Sequence, residues 1–124
     1  MRVKPIEELI SVLSEQAKQV EQLENLAETL IQDPQQGQRY RSVLEEKARL
    51  LSGLAQLTHP ITKKMPTEKA SPVKLQLSKF AQSATTSLRI GSPFYMSALL
   101  YPQDYQQGQP NDLELFIEQL KDLQ

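Results

Sequence analysis

The side chains able to do chemistry are few and scattered. His59 is the one histidine, the only side chain type that titrates near neutral pH unaided, and it stands directly before Pro60. A general acid or base needs a positioned partner, none follows from its neighbours, and an imidazole near a helix C-terminus is already favoured by the dipole. The acidic pairs Glu7-Glu8 and Glu45-Glu46 would point about 100° apart on a helix, which reads as solvated surface rather than a catalytic dyad. Ser83 to Ser87 offers hydroxyls without a base. With no cysteine and no His-Glu or His-His pair at helical offset, no metal-ligand spacing appears. The four glycines are isolated, so no loop is set to cradle a phosphate. No enzyme, cofactor or metal is expected.

Two groups point instead to binding. Residues 58 to 90 carry six basic side chains against the single acid Glu68, a local charge of +5, whereas residues 91 to 124 carry −4 within a chain of net charge −1. Lys63, Lys64, Lys69, Lys74 and Lys79 form the basic set. They suit a nucleic-acid backbone, although base stacking normally calls on several aromatics and few are interleaved here. The simpler expectation is that the basic middle and the acidic tail attract each other. The second group is aromatic: Phe94, Tyr95, Tyr101 and Tyr105, beside Met96, fall within twelve residues of a chain with only seven aromatics. Tyrosine and methionine are enriched at partner-binding surfaces.

The elements that must carry these residues read as helices. From Pro5 to Ile31 the apolar residues Ile6, Leu9, Leu13, Val20, Leu23, Ala27 and Leu30 recur in steps of mostly three and four, broken by the polar Gln16, which predicts an amphipathic helix with one sticky stripe. Pro5 suits the first turn, and Asp33-Pro34 stops the run. After the polar turn Gln35-Gln36-Gly37, a second stripe over Tyr40, Val43, Leu44, Leu50, Leu51, Leu54 and Leu57 predicts an antiparallel partner. Lys47 lies inside that stripe, its stem expected along the seam and its ammonium at the rim. Residues 58–71, with two prolines and three lysines, read as a basic linker or loop. Ser71-Pro72 and Ser92-Pro93 repeat a helix-start signal, with a strand as the competing reading for residues 73–90, and Asn111 with Glu114 predicts a capping box for a last helix. The expected fold is all-α: a long antiparallel helical hairpin (1–57) with shorter C-terminal helices (72–124) packed on it as one small bundle.

The segment Leu44-Glu45-Glu46-Lys47-Ala48-Arg49-Leu50-Leu51, followed by Leu54 and Leu57 after a long first helix and a polar turn, resembles the Glu-x-Lys-x-x-Leu-Leu pattern of the flagellar FlgN-type export chaperones. The resemblance covers residues 6 to 57 and implies a small cytosolic helical chaperone that wraps a partner's helix; it transfers no site residue. The start of the chain does not read as a signal peptide, and no run approaches the roughly 18 apolar residues of a membrane span. The absence of cysteine accords with a reducing compartment, so a cytoplasmic location is expected. The expected function is a non-enzymatic helical protein-interaction module or adaptor, chaperone-like. Its partner would be another protein or a second copy of the chain, with a homodimer expected because the apolar stripes exceed what a two-helix contact can cover. The alternative is a nucleic-acid accessory factor using the lysine-rich middle.

Overall fold

The structure, a computed structural model, describes residues 4–124; Met1 to Val3, part of the start considered above for a signal peptide, lie outside the described residues. Six α-helices follow in order: α1 (Pro5–Ile31), α2 (Gly37–Ser52), α3 (Leu54–Thr62), α4 (Thr67–Ile90), α5 (Pro93–Ala98) and α6 (Asp112–Asp122). No strand occurs among the described residues, and the all-α bundle is what helical periodicity predicts. None of the helices is long and apolar enough to cross a membrane.

α1 buries Leu9, Leu13, Val20, Ala27 and Leu30, five of the predicted stripe positions. Just past the end of α1, Asp33 accepts from the Gln35 N–H through its side chain at 3.0 Å and so caps a single 3-10 turn at Pro34–Gln36 that leads into α2. α2 runs back along α1 and contributes Val43, Leu44, Ala48 and Leu51. One face of this hairpin carries the rest of the chain: α4 and α5 lie against α2, while α3 and α6 lie against α1. Two apolar clusters result. The larger joins Leu9, Leu13, Leu51, Leu54, Leu77, Phe116 and Leu120 from five of the helices, with Phe80 and Phe116 edge to face at 5.8 Å. The smaller sits at the hairpin tip and unites Ala27, Leu30, Val43, Leu44 and Ala48 with Met96.

Several boundaries differ from those expected. The second run of the hairpin is two helices, broken at Gly53, whose N–H bonds back to the Arg49 and Leu50 carbonyls. Residues 58–71 are not a linker. They complete α3, make a short turn over Lys63 to Pro66, and begin α4, burying Thr58, Ile61, Thr62, Met65 and Ala70. The prolines are tolerated for a local reason. Pro60 and Pro72 lie on exposed faces, and the carbonyls they cannot reach, those of Gln56 and Glu68 one turn earlier, belong to exposed residues that water can serve. α4 therefore starts at Thr67 rather than at Ser71-Pro72, and residues 73–90 are helix throughout.

α4 stops at Gly91, where φ of +71° is a conformation that glycine adopts without the steric cost of a Cβ. The Arg41 guanidinium donates to the Gly91 carbonyl at 2.8 Å, fastening that end to α2. The Ser92 hydroxyl then caps α5 by accepting from the Tyr95 N–H. The segment between α5 and α6 has no regular structure, but it is anchored. Leu100 is buried with φ of 77°, and its carbonyl accepts from the Asp112 N–H at 2.9 Å. The predicted capping box is present, with both Asn111–Glu114 bonds at 2.9 Å. The basic middle and acidic tail do not pair: among the described residues no ion pair joins residues 58–90 to 91–124, and Lys64 reaches Glu8 of α1 at 3.7 Å instead.

Candidate functional site

The densest polar arrangement in the fold is centred on Lys47. α2 aims this side chain into the space between α1 and α5, where it is only 1% exposed, so its ammonium is not at the rim as the seam position suggested. The Nζ stands 2.9 Å from Glu24 Oε2, donates to the Ser97 carbonyl at 3.2 Å and lies 5.2 Å from the centre of the Tyr101 ring. Tyr101 donates its hydroxyl proton to the other Glu24 oxygen at 2.7 Å. One carboxylate from α1 thus accepts from an α2 amine and a loop phenol together.

The electrostatics follow from this geometry. Burial pulls the Lys47 ammonium below the ordinary lysine range, and the neighbouring Glu24 charge offsets only part of that. Burial, then the bond to Glu24, pushes the Tyr101 phenol well above its usual value. A lysine acting as a nucleophile needs a free lone pair, whereas this one directs its protons at a carboxylate and a carbonyl. The cluster is therefore built as a clamp that holds α5 and the following loop onto the hairpin. A cleft of about 280 Å³ opens beside it, with Glu28, Ile31 and Tyr40 on its far wall.

The aromatic candidates divide. Phe94 (73% exposed) and Tyr95 (53%) stand in solvent, edge to face at 5.6 Å. With Ile90, itself 56% exposed, they form an apolar corner where α4 meets α5. The adjoining cleft of about 590 Å³ is lined by Tyr95, Ile90, Leu99 and the uncharged Gln82, Ser83 and Thr86. Met96 is not a surface residue. It is fully buried in the hairpin-tip cluster, because on a helix as short as α5 it is the position facing α2. Tyr101 belongs to the clamp, and Tyr105 packs edge to face on it at 4.7 Å while its hydroxyl donates to the Gln109 carbonyl at 2.7 Å. Both are partly covered and tied down, contrary to the partner-binding role expected of them.

The basic candidates are exposed but dispersed. Lys69, Lys74 and Lys79 are five residues apart on α4, so successive side chains turn by about 140° and share no stripe along which a phosphate backbone could run. Lys63 and Lys64 lie on the turn before α4. His59 is exposed on α3; its carbonyl accepts from the Lys63 N–H and the Thr62 hydroxyl. Among the described residues no three His, Cys, Asp or Glu side chains converge as a metal site would require.

Sequence reasoning missed one surface. The face of the hairpin turned away from α4 and α6 is uncovered and holds a groove of about 880 Å³ between α1 and α2, with Leu23, Leu26 and Leu50 along its floor and Gln19, Gln22, Glu46 and Arg49 among its walls. The signal was present as a second three-and-four series on α1, Val12, Gln16, Gln19, Leu23 and Leu26, set beside the core stripe.

No family model matches the chain, and neither a curated protein nor a solved structure matches it.

Proposed function

We propose that this chain is a non-enzymatic helical protein-interaction module, a chaperone-like adaptor of the cytoplasm, and that the α4–α5 corner is its docking surface for a partner. The observation that carries the reading is the exposure of Phe94, Tyr95 and Ile90 side by side over a cleft whose lining is uncharged. Aromatic anchors amid depleted charge are the compositional mark of an interface core, and covering one such ring is worth about 2 kcal/mol at 25 cal/mol per Å². The rings also contribute little to the fold, since neither belongs to an apolar cluster. The hairpin's resemblance to FlgN-type chaperones over residues 6–57 supports the same class, and the lack of cysteine accords with a reducing compartment.

The test is affinity capture with the chain as bait, comparing the native sequence with a Phe94→Ser, Tyr95→Ser double variant. The variant should keep its melting temperature and lose the captured partner. Unchanged capture, or a variant that unfolds, would remove the reading.

A further inference from the structure

We infer that residues 92–110, which are α5 and the loop behind it, form a strap that swings open as one unit while the other five helices stay packed. The opening needs no partner and does not rest on the docking reading of the α4–α5 corner; only its consequence for that corner does.

The strap has few apolar anchors. Of residues 92–110 only Met96 and Leu100 are buried, Met96 in the cluster at the hairpin tip and Leu100 in the larger one. Every other buried member of the two clusters comes from elsewhere in the chain, so the core outlasts the strap's departure. Segments with so little buried apolar contact open at a free energy below that of global unfolding.

Both flanks are held without it. Gly91 is fastened to α2 by the Arg41 guanidinium, and its φ of +71° marks a swivel that costs a glycine nothing. On the far side, Asn111 and Glu114 close their capping box between themselves. Leu113, Phe116, Ile117 and Leu120 seat α6 in the larger cluster.

Three polar bonds keep the strap shut. Lys47 Nζ donates to the Ser97 carbonyl at 3.2 Å, the Tyr101 hydroxyl to Glu24 at 2.7 Å, and the Asp112 N–H to the Leu100 carbonyl at 2.9 Å. Two costs of closure work against them. Leu100 is held at φ of 77°, a left-handed conformation that a residue with a Cβ resists, and the Lys47 ammonium is kept from water. Opening relieves both.

The consequence reaches the other side of α5. Phe94 and Tyr95 ride on the strap, whereas Ile90 belongs to α4, so opening parts the rings from Ile90 and dissolves the corner. A partner bound at that corner would therefore hold the strap closed.

The Met96 sulfur reports on the opening. Hydrogen peroxide transfers one oxygen atom to a thioether, leaving water and a sulfoxide, and Met96 is fully enclosed until the strap lifts. The full chain is oxidised in rising urea, Met96 sulfoxide is followed by peptide mass, and global unfolding is followed by circular dichroism. Met96 should oxidise faster than global unfolding allows, with a shallower dependence on urea. Tyr101→Phe deletes the bond to Glu24 and should speed Met96 oxidation at least about tenfold. Ile61→Val acts at the opposite end of the bundle: nearby Lys64 reaches Glu8, whereas Tyr101 reaches Glu24, about 24 Å further along α1. It should lower global stability and leave the Met96 rate in the absence of urea unchanged. A Met96 rate no faster than global unfolding permits, indifference to Tyr101→Phe, or an Ile61→Val variant that oxidises faster in step with its lost stability would each overturn the inference.

Discussion

The Lys47–Glu24 pair makes an asymmetric prediction, because its two members are unequally buried. Glu24→Ala leaves an ammonium that is 1% exposed facing only the Ser97 carbonyl and the Tyr101 ring. Breaking a buried pair in this way costs about 3 to 5 kcal/mol. The adjoining cleft admits some water, and Lys47 can shed its proton because its pKa is already lowered, so the lower end, about 3 kcal/mol, applies. For a chain of this size that corresponds to roughly 10 to 15 °C in melting temperature.

Lys47→Met, by contrast, keeps the apolar stem and removes the buried charge. Glu24 is 21% exposed, so it can meet water and still accept from Tyr101, and the variant should fall within about 1 kcal/mol of the native chain. Linkage supplies a second readout. A lysine whose folded pKa lies below its unfolded value of 10.5 binds fewer protons in the fold. Its cost is therefore full at low pH and is relieved as pH climbs from the folded value toward 10.5. Lys47→Met should flatten that gain. Thermal melts of the three proteins at neutral and alkaline pH measure all of this. A Lys47→Met variant that loses as much stability as Glu24→Ala would refute the argument, since the ammonium would then be a net source of stability rather than a charge tolerated for its geometry.

Further outcomes follow from other contacts. Tyr101 has its pKa raised above the ordinary 10.0, so the native chain should lose stability as pH rises past that value, and in Tyr101→Phe this alkaline loss should disappear from pH-dependent melts. Gly91→Ala places a Cβ 3.3 Å from the Arg41 guanidinium, which can move aside, but the left-handed backbone there should still cost about 1 to 2 kcal/mol in denaturant unfolding. Asn111→Ala deletes one half of the capping box and should cost about 1 kcal/mol. Leu51→Asp, at a position almost fully enclosed, should leave the chain unfolded by circular dichroism, whereas Leu23→Asp, at a half-covered position on the open groove, should fold.

What could be read from the residues was whatever depends on neighbours in the chain. The α1 stripe, the Asp33-Pro34 stop and the Asn111–Glu114 box are all local signals, and the structure contains each of them. The stripe reading holds only in part at Leu23, which packs against the hairpin-tip cluster on one side and lines the groove on the other. The two prolines misled for another reason. Local propensity marks Pro60 and Pro72 as breakers, but burial of Ile61, Met65, Ala70 and Val73 around them outweighs one missing N–H bond on an exposed face. Lys47 was visible as a charge in an apolar stripe. Its partners were not, because Glu24 lies across the hairpin and Tyr101 more than fifty residues later, and only the packed register brings the three together. Phe94 and Tyr95 are separable from Met96 only once the side of α5 facing α2 is known.

The contact between α6 and α1 sets an order of assembly. The hairpin closes over a turn of a few residues, so it can form early, at little loop-closure cost. α6 returns to α1 only after eighty intervening residues, and contacts of such separation form late. Until it docks, the flank of α1 around Leu13 and Ala17 stands bare. A chain interrupted before residue 112 would carry that bare flank permanently, and limited proteolysis of such a truncation should cut within α1 where the complete chain resists.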